Sequence, residues 1–342
     1  MNGNYILLRI GLLLVSVAVV GVAFIGVAQA DEDDSKPDDT WVIGVVADNR
    51  GGSGIHAAAL SMFKKAGAEI NLNLGDMLYP NATGGWDGVV KNYKNIYGKD
   101  GDQMLSKRVF VTAGGWDEQF INQHQKTKDK TAGKSNLGNR RWPGYEPDNA
   151  AGQEFYAKFF KYKQRAGKEG ELIRDYTVDG DYYVKYRNLH LISLYITDEW
   201  PVVSKKWHLH DDPQKRREAL ARQTLWLDQK LTTIRKAEPK APVIVMAHDG
   251  IWHKGSGQTK PIARLLNKHR VDMALCGDGH SYYSIKDPWT MKFMVPGSFQ
   301  GGSDGWFMIK ISPKTGKIEM EHYRHTGKHL RTHSKIAGER WK

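Results

Sequence analysis

The sequence predicts an α/β fold, a sandwich of β-sheets covered by helices. Three observations carry that expectation. From Trp41 onward, short apolar runs alternate with segments of helical apolar spacing. The last third of the chain carries a succession of strand-like runs instead. Carboxylates and imidazoles recur immediately after several of the apolar runs, where α/β proteins gather functional side chains.

Taken in order, Trp41–Ala47 is a short, fully apolar strand, and 55–66 has helical spacing through Ala58, Met62 and Ala66. Ile70-Asn-Leu-Asn-Leu74 alternates as a strand, 86–97 is helical, and 108–112 is a third strand. Residues 117–180 are polar and read as an inserted excursion with a helix near 153–163. Tyr182 to Thr197 gives two strands joined at Arg187-Asn188. Pro213 to Lys236 is a long amphipathic helix with Leu220, Leu227 and Leu231 on one side. A strand at 243–247, a helix at 260–268 and a strand at 271–275 follow, and 291–295, 306–311 and 318–323 close the fold. The domain is expected over 41–330, with 331–342 as a basic C-terminal tail.

At 342 residues and 40% hydrophobic, the chain is large enough to bury a sizeable core. That excludes a disordered protein, a coiled coil and a disulfide-stapled mini-protein. The single cysteine, Cys276, excludes an intramolecular disulfide and a cysteine zinc site, and its apolar neighbourhood makes it a small buried residue. Fifty Lys and Arg against 38 Asp and Glu give a formal charge of +12, compatible with phosphate-bearing partners without choosing among them. No nucleic-acid module is recognisable, so no nucleic-acid partner is expected. The lysines of 126–141 read as a solvated loop, and Gly133-Lys134-Ser135 lacks the strand and spacing of a phosphate-binding loop.

No charge stands between Arg9 and Asp31, and the apolar run ends in Ala28-Gln29-Ala30. Residues 1–30 therefore read as a signal peptide, with an uncleaved membrane anchor as the alternative, and 31–40 as an acidic linker. On either reading the body is exported, periplasmic or secreted, and any membrane association runs through this segment.

The strand ends carry the chemistry. They are Asp48, Gly75-Asp76-Met77-Leu78-Tyr79, His248, and Cys276-Gly277-Asp278-Gly279-His280. Hard oxygen donors with imidazole suit divalent or ferric first-row metals. The series resembles the calcineurin-like metallophosphoesterases, and most closely the small purple acid phosphatases of the tartrate-resistant type, which implies a sandwich of two mixed β-sheets flanked by helices. Gly75-Asp76-x-x-Tyr79 points to that branch. The resemblance implies a first metal, iron, held by Asp48, Asp76, Tyr79 and His280. It implies a second metal (zinc, manganese or iron) sharing Asp76 and held by His248, with Asp278 standing where the family has a histidine. Gly115 and Trp116 replace the family's Asn and His, so the second site is altered.

The implied activity is hydrolysis of phosphate esters, on a small molecule or a phosphoprotein, with Asp76, His248 and Arg50 in catalytic roles and Arg50 clamping a phosphate oxygen. His124, His253 or a water would have to replace the leaving-group acid. The alternative is an inactive relic serving as a binding or envelope scaffold. There Arg50 pairs with Asp48 and Asp278, and Trp116, Trp200 and Trp252 border the cleft.

Overall fold

Six consecutive buried residues, Trp41–Val46, form strand β1 at the heart of the first sheet, as their unbroken apolar run dictates. The computed structural model describes residues 39–49, 54–76, 85–101, 104, 108–112, 173–176, 181–194, 213–251, 259–279, 282–286, 289–295 and 305–340. After β1 come α1 (Gly54–Lys65), β2 (Ala68–Asn73), α2 (Gly85–Tyr97) and β3 (Val109–Val111). Then follow β4 (Ile173–Tyr176), β5 (Tyr182–Tyr186), β6 (Leu189–Leu194), α3 (Pro213–Ala237), β7 (Val243–Ala247), α4 (Thr259–Lys268) and β8 (Met273–Cys276). The chain closes with β9 (Tyr283–Lys286), β10 (Met291–Met294), β11 (Gly305–Ile311), β12 (Lys317–Arg324) and β13 (His329–Ile336).

The first sheet has the order β13-β12-β11-β1-β2-β3 and the second β4-β5-β6-β7-β8-β10-β9. Both are mixed. In the first, β1, β2 and β3 are parallel and β11 to β13 antiparallel. In the second, β6, β7, β8 and β10 are parallel, with antiparallel strands at both edges. The sheets pack on each other, as where Phe293 of β10 meets Phe307 of β11 edge to face at 6.0 Å.

Helix α1 lies against β1, with Phe63 pressed so closely that a Cβ on Gly44 would fall 2.3 Å from its ring. Leu227, Leu231 and Ile234 of α3, with Ile262 and Leu266 of α4, cover the other face of the second sheet. The expected two mixed sheets with flanking helices are what the chain forms. Among the described residues, no helix is long and apolar enough to cross a membrane.

Two expectations need correcting. The basic tail from 331 begins inside β13, whose register with β12 runs from His329 to Ile336. Most of its side chains are exposed, so backbone pairing holds it and no apolar pattern announced it. Its one buried side chain, Lys335, reaches across to Asp272 at 2.7 Å, both side chains 1% or less exposed. Asp272 also accepts the backbone N–H of Val243 and of Gly338, which ties β13 to the second sheet. The polar excursion 117–180 likewise contributes β4, an edge strand of sequence Ile-Arg-Asp-Tyr paired with β5. Strand β9 was also not foreseen. The excursion helix near 153–163 and residues 1–38 lie outside the described residues.

Candidate metal centre

Four strands deliver the site. In the first sheet β1 runs out into Asp48 and its parallel neighbour β2 into Leu74-Gly75-Asp76. In the second, β7 runs out into His248-Asp249 and its parallel neighbour β8 into Gly277-Asp278. Parallel neighbours end at the same edge, about 4.8 Å apart, so each pair places its terminal side chains together. Backbone bonds lock each pair, Asp48 N–H to the Gly75 carbonyl at 3.0 Å and Gly277 N–H to the His248 carbonyl at 2.9 Å.

Two further bonds join the pairs across the sandwich. His248 Nδ1 donates to the Leu74 carbonyl at 2.6 Å, and the Asp278 N–H donates to Asp48 Oδ2 at 3.2 Å. Gly277 makes the first approach possible, because a Cβ there would stand 2.6 Å from the Leu74 oxygen and 3.0 Å from His248 Nδ1.

Side-chain atoms of Asp48, Asp76 and His248 then lie within 4.8 Å of one another, and so do those of His248, Asp249 and Asp278. His248 Nε2 stands 3.4 Å from Asp76 Oδ1 and 4.0 Å from Asp278 Oδ1. The carbonyl partner of Nδ1 can only accept, so Nδ1 keeps a proton and Nε2 is the nitrogen presented to the carboxylates. Asp48, Asp76 and His248 are buried, whereas the Asp278 side chain is 38% exposed and marks the open side. Burial is the largest single influence on His248 and opposes its charging. Asp76, Asp48, Asp249 and Asp278 together outweigh burial and hold its pKa well above the ordinary 6.5. Four carboxylates around one oriented imidazole nitrogen are a donor set for hard, multiply charged cations, so the residues present fit the metals the sequence implied.

Of the expected site residues, Asp48, Asp76, His248 and Asp278 converge. Arg50, Tyr79 and His280 lie outside the described residues, as do Gly115, Trp116, His124, Trp200, Trp252 and His253.

Two participants escaped the sequence reading. Asp249 follows His248 directly and was legible only as its neighbour. Asn73 donates from Nδ2 to Asn49 Oδ1 at 3.1 Å and accepts the Gly75 N–H at 3.2 Å, so it braces both ligand-bearing turns. Asn71 and Asn73, the polar residues of the alternating run 70–74, are both buried. Cys276 is buried, as expected, and burial pushes its thiol pKa up.

Two mixed sheets with acids and an imidazole gathered at adjoining strand ends make this a sandwich built around a metal centre. The calcineurin-like phosphoesterase model matches residues 42–282, and the chain belongs to that family. No curated protein matches it in sequence. Among solved structures it is similar to GAP50, "the anchor in the inner membrane complex of Plasmodium". That match has 13% identity and a TM-score of 0.50, and covers 87% of this chain and 89% of that one. A dimetal phosphatase from Danio rerio aligns at 11% identity and a TM-score of 0.48, over 89% of this chain and 100% of its own. Yfce, a phosphoesterase from E. coli, aligns at 9% identity and a TM-score of 0.36, over 85% and 97%.

Proposed function

We propose that the chain is an exported phosphoesterase that hydrolyses phosphate esters at a two-cation centre of purple-acid-phosphatase character, with iron in the first position. The observation that carries the reading is the buried convergence of Asp48, Asp76 and His248 within 4.8 Å at the ends of three different strands. The Gly75-Asp76-x-x-Tyr79 sequence supports the purple branch, and the apolar segment before Asp31 supports export.

Asp48 and Asp76 would hold the first cation, and the resemblance adds Tyr79 and His280 as its further donors. Asp76, His248 and Asp278 would hold the second. Bound cations supply Lewis-acid polarisation of a phosphoryl oxygen and acidify water at neutral pH. The protein contributes orientation. The Leu74 carbonyl fixes the His248 ring, the Asp278 N–H fixes the Asp48 carboxylate, and the exposed flank of Asp278 leaves an entrance for the ester. Arg50, two residues beyond Asp48, clamps a phosphoryl oxygen.

The test is phosphate release from p-nitrophenyl phosphate by purified protein supplied with iron, zinc or manganese, beside Asp76→Asn. Metal-dependent release lost in the variant supports the proposal, and a visible absorption band with iron supports the purple branch. Protein that binds no metal and releases no phosphate refutes it and favours the binding or scaffold alternative, in keeping with a Plasmodium neighbour named an anchor in the inner membrane complex.

A further inference from the structure

We propose that the sheet edge beside the metal centre is a second anion-binding position, and that the phosphate esters this chain cleaves are carried on acidic, extended peptide segments. The inference rests on the proposed phosphoesterase reading and names its substrate class. Strand β11 pairs with β1 through Val45 and Phe307, and continuing that register brings Gly305 level with Ala47, at the strand end that carries Asp48. Gly305 is paired in turn with Arg324 of β12, and His322 with Arg331 of β13. The turn between β12 and β13 therefore stands on the same edge as the metal centre.

Its charge is one-sided. From His322 to Gly338 there is no Asp or Glu, while Arg324, Lys328, Arg331 and Lys335 all fall in that stretch. Lys335 is consumed inside by Asp272, but Arg324, Lys328 and Arg331 are exposed, and among the described residues none of the three has an ion pair. Elsewhere on the same sheet cations are neutralised, Lys310 by Glu321 at 2.7 Å and Lys317 by Glu319 at 2.9 Å.

The edge is also ordered. The Arg331 guanidinium lies over the Tyr282 ring at 4.1 Å. Tyr282 stacks on buried His322 at 4.6 Å and its hydroxyl bonds to His333 Nε2 at 2.9 Å. Tyr282 is only four residues beyond Asp278 in the chain, so the platform under Arg331 is tethered closely to the metal centre. Burial holds His322 uncharged, down to about 4, and Arg331, His333 and Arg324 add to that effect, so positive charge is crowded here.

Strands β12 and β13 are two and three places from β1, which sets Arg324 about 10 Å from the Asp48 strand end and Arg331, two residues further back along the sheet, about 16 Å. Those spans equal about three and five residues of extended peptide. A phosphoserine at the metals then places acidic residues three and five positions along under the two guanidiniums, which bind carboxylates bidentately.

The experiment is fluorescence anisotropy on manganese-loaded full chain with two labelled phosphoserine peptides, one with glutamates at the third and fifth positions after phosphoserine and one with alanines. Kinetics on p-nitrophenyl phosphate run in parallel. Wild type is expected to bind the glutamate peptide at least about tenfold more tightly, a preference that fades at high salt. Arg324→Gln with Arg331→Gln abolishes the preference and leaves p-nitrophenyl phosphate turnover unchanged, while Arg324→Lys with Arg331→Lys retains most of it. Equal affinity for the two peptides, or a preference that survives the glutamine pair, overturns the inference while leaving the phosphoesterase reading intact. Loss of p-nitrophenyl phosphate hydrolysis in wild type overturns that reading instead. Binding of the hairpin to phosphatidylserine vesicles with no peptide preference also overturns the inference.

Discussion

Replacing Gly277 with alanine separates the folding of the sandwich from the assembly of its metal centre. The added Cβ would lie 2.6 Å from the Leu74 carbonyl oxygen, 3.0 Å from His248 Nδ1 and 3.3 Å from the Ala47 Cβ. None of these can swing aside. The Leu74 N–H is itself bonded to the Val46 carbonyl, and His248 is held by the 2.6 Å bond to Leu74 that the new methyl would intrude upon. Overpacking of this kind costs about 1–3 kcal/mol. Breaking the His248–Leu74 hydrogen bond adds about 0.5–1.5 kcal/mol. A total of about 1.5–4.5 kcal/mol is tolerable for a domain of ordinary stability, so the variant folds. The His248 ring loses its orientation, however, and cation affinity falls about 10- to 100-fold.

Urea unfolding of metal-free protein followed by tryptophan fluorescence measures the first effect, and calorimetric titration with manganese the second. Gly54→Ala is the control, because a Cβ there meets nothing within 4 Å and the site lies in the first turn of α1. A Gly277→Ala protein whose stability moves by less than about 0.5 kcal/mol, the scatter of neutral surface changes, and whose manganese affinity is unaltered refutes the account of how the two sheets are pinned.

Three other outcomes are expected. Fully buried His56 titrates at about 3 instead of 6.5, so the unfolded chain takes up its proton first. Stability therefore falls as pH drops from about 6.5 toward 3, by several kcal/mol at the limit, and urea midpoints measured between pH 7 and 4.5 in His56→Gln should show a shallower slope. Lys335→Met removes the 2.7 Å ion pair of buried Asp272, which keeps Arg235 at 3.4 Å, and should cost about 1.5–3 kcal/mol in urea unfolding. Adding Asp272→Asn to it should recover at least about 1 kcal/mol, and strict additivity would deny the coupling. Asp249→Asn removes one carboxylate from the His248–Asp249–Asp278 cluster. It should lower the bound metal from two ions to one in a titration while the first remains, whereas an unchanged stoichiometry would exclude Asp249 as a donor.

The architecture was legible because its inner strands are apolar without interruption. Trp41–Val46 and Val243–Ala247 are buried at every position, and a run of that kind in a soluble body has few other fates. The edge strands were not legible. In β13 only Lys335 is buried, and in β4 two of four residues are charged, so neither carries a period that separates it from a loop. Within the site, Asp48, Asp76, His248 and Asp278 could be found because each follows a strand. Asn73 could not, since its alternation with Leu72 and Leu74 resembles a solvated face while its amide is in fact spent on two turns. What joins the half-sites, the Leu74 carbonyl and the Asp278 N–H, is backbone, and backbone donors and acceptors are common to every sequence.

Among the described residues, five that are not glycine have a left-handed backbone: Asp48, Asp76, Arg187, Arg270 and Asp278. Two have ordinary explanations. Arg187 begins the tight turn between β5 and β6, which demands positive φ, and Arg270 follows the end of α4, where a left-handed residue closes a helix. The three aspartates, at φ of 50°, 51° and 59°, close neither a hairpin nor a helix. Each instead turns the chain just after a parallel strand. Together they cost roughly 3–9 kcal/mol of backbone strain, comparable with the whole stability of a domain. Glycine would relieve that strain at every one of the three positions but would remove the carboxylate. Aspartate is the residue with a charged oxygen that tolerates this conformation best, through its short side chain. Strain accepted at three separate strand ends, and only where the carboxylates converge, is explained if the gathered negative charge is worth more than the relief, and a bound cation makes it so.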